Sequence, residues 1–413
     1  DEVAYAALQT ADGGYTVVGY TGSGYVLGQP TSGYSDVWLI KLKGLQQEKS
    51  PISPAQQTPQ KDVTTVGEPI NVANGNMFTQ EKNISIPSSI IPLELSCTYN
   101  SQDNFNGIFG YGWRSNFDIT LTERPDASVI EIDETGVYTI YTKNPDGSYA
   151  PSAGKYSQLT KKPDGTFVIL RKHGVKLYFN SHGLLTRIED RNANFINITR
   201  GSNGVIQEVT DSSARKLIFT ANAQGKITQV TDPEERIFKY EYDSKGNLVK
   251  TIGPLNNETS YLYDSNHNLI QQTDVNNHSL YFEYDANDRA FHSWQDDQNN
   301  EVTLAFDPAN KTTTTTDSLG NATKYEYNDY GLVTKITDAQ GNTQLFTWDS
   351  SLNKTSSTNQ NGSTTPFTYD SRGNLLTVKD ALNNTTTFTY EPDFDFISSS
   401  TDPLGNKTEY SYD

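Results

Sequence analysis

Carboxylates are the residues of this chain most able to do chemistry. Asp and Glu together number 50, and two acids held a set distance apart across a cleft are what glycoside hydrolysis requires. Their spacing points elsewhere. Asp190, Asp211, Asp232, Asp274, Asp317, Asp338, Asp380 and Asp402 form a ladder whose steps are 21 or 22 residues or about double that. An acid that returns at a constant period is a turn former before it is a catalyst, because Asp can hydrogen-bond its own backbone two residues on. The histidines, His173, His182, His267, His278 and His292, show no metal-ligand spacing, and His267 replaces the turn glycine of its repeat. The run Asp296 to Glu301 offers oxygen ligands of the kind calcium takes, but it lacks the spacing of an EF-hand loop and sits at a turn position. There is no Gly-x-Ser-x-Gly elbow, phosphate loop or His-Glu-x-x-His. Cys97 is the single cysteine; it has no partner for an internal disulfide and reads as a strand residue within Leu93 to Tyr99. The sequence therefore assigns no catalytic residue, no metal site and no cofactor, and the chain is not expected to be an enzyme.

The elements behind these residues follow from composition and period. At 413 residues the chain has room for two or three domains. Only 34% of residues are hydrophobic and 20% charged, with 25 tyrosines among abundant Asn, Thr, Ser and Gly. That balance suits a polar β protein with many turns. No long stretch shows the helical apolar period, whereas short alternating segments bounded by turn residues recur throughout. A net charge of −18 repels phosphate backbones and anionic lipid, so nucleic acid is not an expected partner. Nor is direct membrane insertion, since no apolar run is long enough to span a bilayer.

One pattern organises the C-terminal half. With the aromatic of a Tyr-Asp pair as anchor, Tyr242, Tyr263, Tyr284, Phe306, Tyr327, Trp348, Tyr369, Tyr390 and Tyr412 are separated by 21 residues six times and 22 twice. Asp or Asn follows each anchor, as Asp243, Asp264, Asp285, Asp307, Asn328, Asp349, Asp370 and Asp413, with Glu391 the exception. Turn glycines follow in register at Gly246, Gly331 and Gly373, and Gly183, Gly204 and Gly225 carry the period back to about residue 175. With the second Asp ladder each unit holds two turns, which leaves room for two strands of about five or six residues. Each repeat is thus predicted to be a β-hairpin. The residue two before each anchor is also apolar, as in Tyr240, Phe282 and Phe388, while the one between is mostly polar. Period two places the two apolar residues on one face and leaves the other wet. Such a hairpin is not stable alone, so the repeats are expected to stack into one continuous sheet that coils into a curved wall or tube. The Asn-x-Thr sequences at Asn257, Asn321, Asn384 and Asn406 fall out of the same consensus, turn Asn followed by strand Thr.

Three segments precede the array. Residues 1–44 read as strand, Gly-rich turn, strand, long loop, strand, through Asp12-Gly13-Gly14-Tyr15 and Asp36-Val37-Trp38-Leu39-Ile40-Lys41, and resemble one blade of a bacterial or archaeal propeller repeat. Residues 45–61, with Pro51, Pro54 and Pro59, read as an extended linker. Residues 62–174 form an irregular N-terminal β domain. Asp1 falls inside a β-like pattern and Asp413 inside a repeat, so the chain is expected to be a piece of a longer polypeptide.

Within the β domain, Gly67-Glu68-Pro69-Ile70-Asn71-Val72-Ala73-Asn74-Gly75-Asn76, Thr98-Tyr99-Asn100-Ser101 and Phe109-Gly110-Tyr111-Gly112-Trp113 precede Pro163-Asp164-Gly165-Thr166-Phe167 and the Tyr-Asp array. In that order the motifs resemble Rhs and wall-associated YD-repeat proteins, relatives of the teneurins and of the insecticidal toxin-complex cocoon subunits, over residues 62–413. The resemblance implies an all-β fold in which a sheet strip spirals into a hollow shell, around a toxic C-terminal polypeptide in some members and as an adhesive ectodomain in others. Asp402-Pro403-Leu404-Gly405 looks like the family's core motif but occupies the ordinary second-turn position and reads as a turn. The expected function is a structural, non-catalytic shell segment of a secreted or cell-surface protein. Its partners would be other parts of a longer polypeptide, or further copies joined through open sheet edges. The alternatives are an adhesin-type module binding glycan or protein, and a self-assembling fibre or tube.

Overall fold

The computed structural model describes the backbone strands Glu2–Gln9, Tyr15–Thr21, Tyr25–Val26, Gln29–Pro30 and Asp36–Leu42, and residues 63–88, 91–296 and 300–412. It divides into two compact units, Asp1–Ser53 and Pro54–Asp413. In the first, Tyr15–Thr21 is the central strand of an antiparallel sheet, flanked by Glu2–Gln9 and Asp36–Leu42, and Tyr25–Val26 pairs with Gln29–Pro30. The stretch read as a linker, 45–61, lies outside the described residues.

The strands of the second unit are joined by turns, with a 3-10 turn at Lys172–Gly174. Its first part holds a three-stranded sheet with Leu93–Asn100 between Phe78–Ile86 and Trp113–Ser115. A four-stranded meander from Thr120–Glu123 to Tyr149–Pro151 follows. From Gln158–Lys161 to Lys407–Glu409 the chain builds a single 25-stranded sheet in which every strand pairs with its sequence neighbours. The sheet takes in Gln158–Lys161 and Phe167–Leu170, upstream of residue 175 where the repeat becomes readable, because those strands pair and pack like the rest without carrying the Tyr-Asp mark.

Local chemistry explains the strands. In Ile237–Tyr242 the side chains alternate, with Tyr240 buried, Glu241 exposed and Tyr242 half-buried. Burying such rings contributes roughly 1.5–3 kcal/mol each, a gain available only if one face is consistently apolar. One register slip recurs at the anchor. The pairing shifts by a residue between Glu241 and Tyr242, Leu262 and Tyr263, Glu283 and Tyr284, Glu326 and Tyr327, Thr347 and Trp348, Thr368 and Tyr369, and Thr389 and Tyr390. These bulges bend each strand in the same sense, which is how a long antiparallel sheet acquires steady curvature. The strand Val302–Asp307, which carries Phe306, pairs without a slip.

The inner core is not uniform along the wall. Tyr240, Tyr261, Phe282 and Leu304 are buried, the equivalent Tyr325, Phe346, Phe367 and Phe388 are half-buried, and Tyr410 is exposed. The difference is the lead-in region, the described residues between 63 and 157 that precede the 25-stranded sheet, which packs against the first set: Phe109 meets Tyr240 edge-on at 5.0 Å, and Trp113 meets Tyr261 at 5.3 Å.

Candidate functional site

The residues singled out by the repeat build a structural device that recurs along the sheet. Asp243 ends a strand and turns its carboxylate back on the reversal it opens: Oδ1 accepts from the amides of Lys245 and Asn247, each at 2.9 Å, and Oδ2 accepts from Asn247 Nδ2 at 2.8 Å. Asp264 and Asp370 repeat this with Asn268 and Asn374. Asp285 repeats it with Arg289, whose Nε donates in place of the Asn amide. The second ladder uses the same turn, with Asp190, Asp317, Asp338, Asp380 and Asp402 each gripping the Asn four residues on. Asp402-Pro403-Leu404-Gly405 is therefore an ordinary turn of the wall. Hydrogen bonds from Asn321, Asn342, Asn384 and Asn406 hold Asp317, Asp338, Asp380 and Asp402 below the usual carboxylate range. At Asp243 and Asp370 burial works against ionisation, yet the turn's hydrogen bonds outweigh it and the net shift is again downward. Acids of this kind are committed to the turn, to its backbone amides through Oδ1 and to the side chain four residues on through Oδ2.

The fourth residue of each turn needs a left-handed backbone, and Gly246, Gly331 and Gly373 supply it at φ 88°, 74° and 69°. His267 adopts φ 70° in the same place. Its ring stacks on Tyr111 at 3.7 Å and its Nδ1 lies 2.6 Å from Asn247 Oδ1, so the histidine replaces the glycine and adds a bond between rungs.

The anchor side chains do something the sequence pattern did not disclose. The hydroxyl of Tyr242 donates to the carbonyl of Ile227 at 2.7 Å, Tyr284 to Leu269 at 2.9 Å, Tyr369 to Lys354 at 2.9 Å, Tyr390 to Leu375 at 2.8 Å and Tyr412 to Ile397 at 3.0 Å. Each bond reaches back 15 residues, from one hairpin to the hairpin before it. Trp348 makes the same connection through Nε1, donating to Val333 at 2.9 Å. The preference for Tyr with Trp as substitute is thus a preference for a ring with a donor at its tip, and the spacing of donors was the signal available. Tyr263 is turned to another use, accepting from Trp113 Nε1 at 2.9 Å. Phe306 has no donor, and its rung also lacks the bulge. The sequence reading placed the anchors on the packing face; it missed the clamp and it missed Trp113, whose partner lies 150 residues away.

The lead-in region docks on the wall at a constant place in the repeat. The amides of Ile227, Leu269 and Ala290, each two residues beyond the turn's fourth position, donate to the Ile108 carbonyl, the Tyr99 hydroxyl and the Gly75 carbonyl. Cys97, on a strand of this region, is buried, and burial pushes its thiol far up, so it is packing material rather than a nucleophile.

Where this cover thins, a cavity of about 750 Å³ lies between Glu131, Asp133 and Arg171 on one side and Phe346, Trp348 and Tyr369 on the other. Arg171 bonds Glu131 at 2.9 Å and Glu134 at 3.3 Å. Although burial works against its charge, these two carboxylates hold it protonated. Burial raises Asp133, and the nearby Glu134 charge adds to this; yet its Oδ1 caps the turn to Thr135 and Val137. Among the described residues no group of three or more His, Cys, Asp or Glu could hold a metal ion. His292 lies between Glu283 and Glu301, at 2.9 Å from each. Of the acidic run beginning at Asp296, residues 297–299 lie outside the described residues, while Asp296 accepts from the Ser279 amide.

Comparison with known proteins finds two family models that match the chain. A family model described as a domain of unknown function, DUF6531, matches residues 67–141, and the RHS Repeat model matches 222–258 and 306–343. The "tRNA nuclease WapA" of Bacillus subtilis is 31% identical over 126 residues, which is 30% of this chain and 5% of that protein. The "tRNA3(Ser)-specific nuclease WapA" of Bacillus spizizenii matches to the same extent. Among solved structures, TcdB2-TccC3 aligns with 97% of this chain and 26% of that one, at a TM-score of 0.39 and 12% identity. The Tc holotoxin pore of Photorhabdus luminescens aligns with 82% and 22%, at 0.33 and 13%. The RHS Repeat matches fall on hairpins of the 25-stranded sheet and the DUF6531 match on the region that docks against it, so the chain carries RHS (YD) repeats behind a DUF6531 region.

Proposed function

We propose that this chain is a non-catalytic wall segment of a secreted or surface-displayed polypeptide, with the lead-in region as an internal cover for the first rungs. The blade-like segment, linker, β domain and repeat array are the parts of this proposal. The observation that supports it most is the clamp. Of the residue types best able to do chemistry, Asp is committed to turn carboxylates, and Tyr242, Tyr284, Tyr369, Tyr390 and Tyr412 are committed to the 15-residue hydroxyl bond. The curated relatives act on tRNA, but the match covers 5% of their length. A chain of net charge −18 is poorly suited to a phosphate backbone, so we assign nuclease activity to none of its residues. The test is a hydrolase and nuclease screen on the purified, folded chain. Turnover abolished by one Asp→Asn change and untouched by the same change in a neighbouring repeat would sink the proposal. Fractionation of producing cells tests the location.

A second reading, an adhesin-type module, is favoured by one observation on the wet face. Tyr281 and Trp294 stack at 5.2 Å with ring planes 10° apart, and His292 lies 4.5 Å from Trp294. Other repeats carry mostly Thr, Ser or Lys at the places of Tyr281 and Trp294. Aromatic platforms of this kind suit sugar rings, and glycan-array binding lost on Trp294→Ala in a folded chain would establish it.

A further inference from the structure

One turn of the wall departs from the pattern and meets a distant partner. Tyr390 and Tyr412 are 22 residues apart, and the residue after the anchor is Glu391 rather than Asp. The reversal closes from the Glu391 amide to the Phe396 carbonyl at 2.8 Å, one residue longer than the ordinary Asp370 to Asn374 closure at 3.0 Å. The added length carries Phe394 outward. Its carbonyl accepts from the His173 amide at 3.0 Å, and the His173 ring lies 4.6 Å from that of Phe396. Arg191 sits over the same group, 4.6 Å from the Phe396 ring and 3.9 Å from Glu391. Lys172 bonds Asn374 at 3.0 Å.

The receiving turn is shaped for this contact. A side-chain carbon added at Gly174 would lie 2.7 Å from the Phe394 ring, while at Gly320, Gly341, Gly362 and Gly405, the glycines of the same ladder, nothing comes within 4 Å. Two departures from the repeat therefore meet across 221 residues of sequence, His173 to Phe394, or about ten and a half units of 21.

We propose that the enlarged turn Glu391–Phe396 is a latch that closes the coiling wall onto its own first rungs and so sets the number of repeats per turn of the coil. The second coil is held to the first by this turn, seated on His173 and Gly174 and backed by Arg191, rather than by continuous strand pairing. The inference rests on the seam's geometry and is independent of whether the wall has any activity.

Hydrogen exchange on the full chain tests it through the His173 amide. In Phe394→Ala that amide is expected to exchange at least tenfold faster, together with residues 391–397, while residues 225–290 keep their wild-type rates. Gly174→Val should give the same result from the opposite side, and small-angle scattering should show a larger radius for both. Unchanged exchange at His173 in a folded variant would overturn the proposal. So would acceleration shared equally along the whole sheet, which would mean that these residues only stabilise their own rungs. Should either variant fail to fold, Arg191→Gln, which keeps both turns intact, decides between the same two results.

Discussion

If the tyrosine clamp holds successive hairpins together, removing one oxygen atom should loosen two rungs and leave the remainder alone. Tyr284→Phe keeps the ring and its packing but deletes the hydroxyl that donates to the Leu269 carbonyl at 2.9 Å. A neutral hydrogen bond is worth about 1 kcal/mol net, and a buried acceptor left unpaired raises the loss towards about 2 kcal/mol. One to two kcal/mol corresponds to roughly a 5- to 30-fold change in a local opening equilibrium. The assay is native-state amide exchange in Leu269–Thr273 and Ser279–Tyr284, with Leu375–Lys379 as a distant reference. Exchange should rise within that range in the two flanking strands and remain unchanged in the reference. Tyr284→Leu separates the two roles of the side chain. If Tyr284→Phe is silent while Tyr284→Leu loosens the rungs, ring burial alone does the work and the clamp reading fails.

Three other outcomes follow from the same geometry. Gly341→Ala meets open space and should cost only the left-handed backbone strain of about 1 kcal/mol, whereas in Gly373→Ala the new carbon would lie 2.3 Å from the Tyr156 ring, so a larger loss in urea denaturation is expected there. Trp113→Phe removes the bond to Tyr263 from a fully buried site and should destabilise by about 2–4 kcal/mol, read as faster exchange at the lead-in contacts of Leu269. The turn carboxylates Asp317, Asp338, Asp380 and Asp402 are held low by their Asn partners, so the folded state binds fewer protons than the unfolded one. Their contribution is complete above the unfolded carboxylate range and is lost as pH falls through the folded values, so a pH series should show a flat plateau near neutrality and loss below about pH 4.

The fold was legible where a physical requirement repeats. Tyr-Asp followed by Gly-Asn must recur because each hairpin needs the same carboxylate turn and the same packing face, and nine copies make the period plain. His267 in a glycine's place was readable for the same reason. The clamp was half legible: the substitution of Trp348 for Tyr keeps a donor, but no pattern in the chain names the carbonyl 15 residues back. Contacts that occur once left no trace. Trp113 with Tyr263, Tyr156 with Asn353 and His173 with Phe394 pair residues 150 to 221 positions apart, and a single contact has no period to reveal it. The gradient of burial from Tyr240 to Tyr410 was hidden likewise, since it depends on where the lead-in region lies rather than on any residue in the repeats. The 22-residue step at Tyr412 was visible as a number, and its meaning emerged only when the turn was seen against Gly174.

The hairpins of the wall form one unbroken ladder, and amide exchange resolved along Gln158–Glu409 tests this most directly. Protection is expected to rise and fall with the 21-residue repeat, highest on the rungs under the lead-in region and lower but unbroken beyond them, with a local rise at the seam turn Glu391–Phe396. A sharp boundary between two independently protected blocks, or protection without the repeat period, would contradict it.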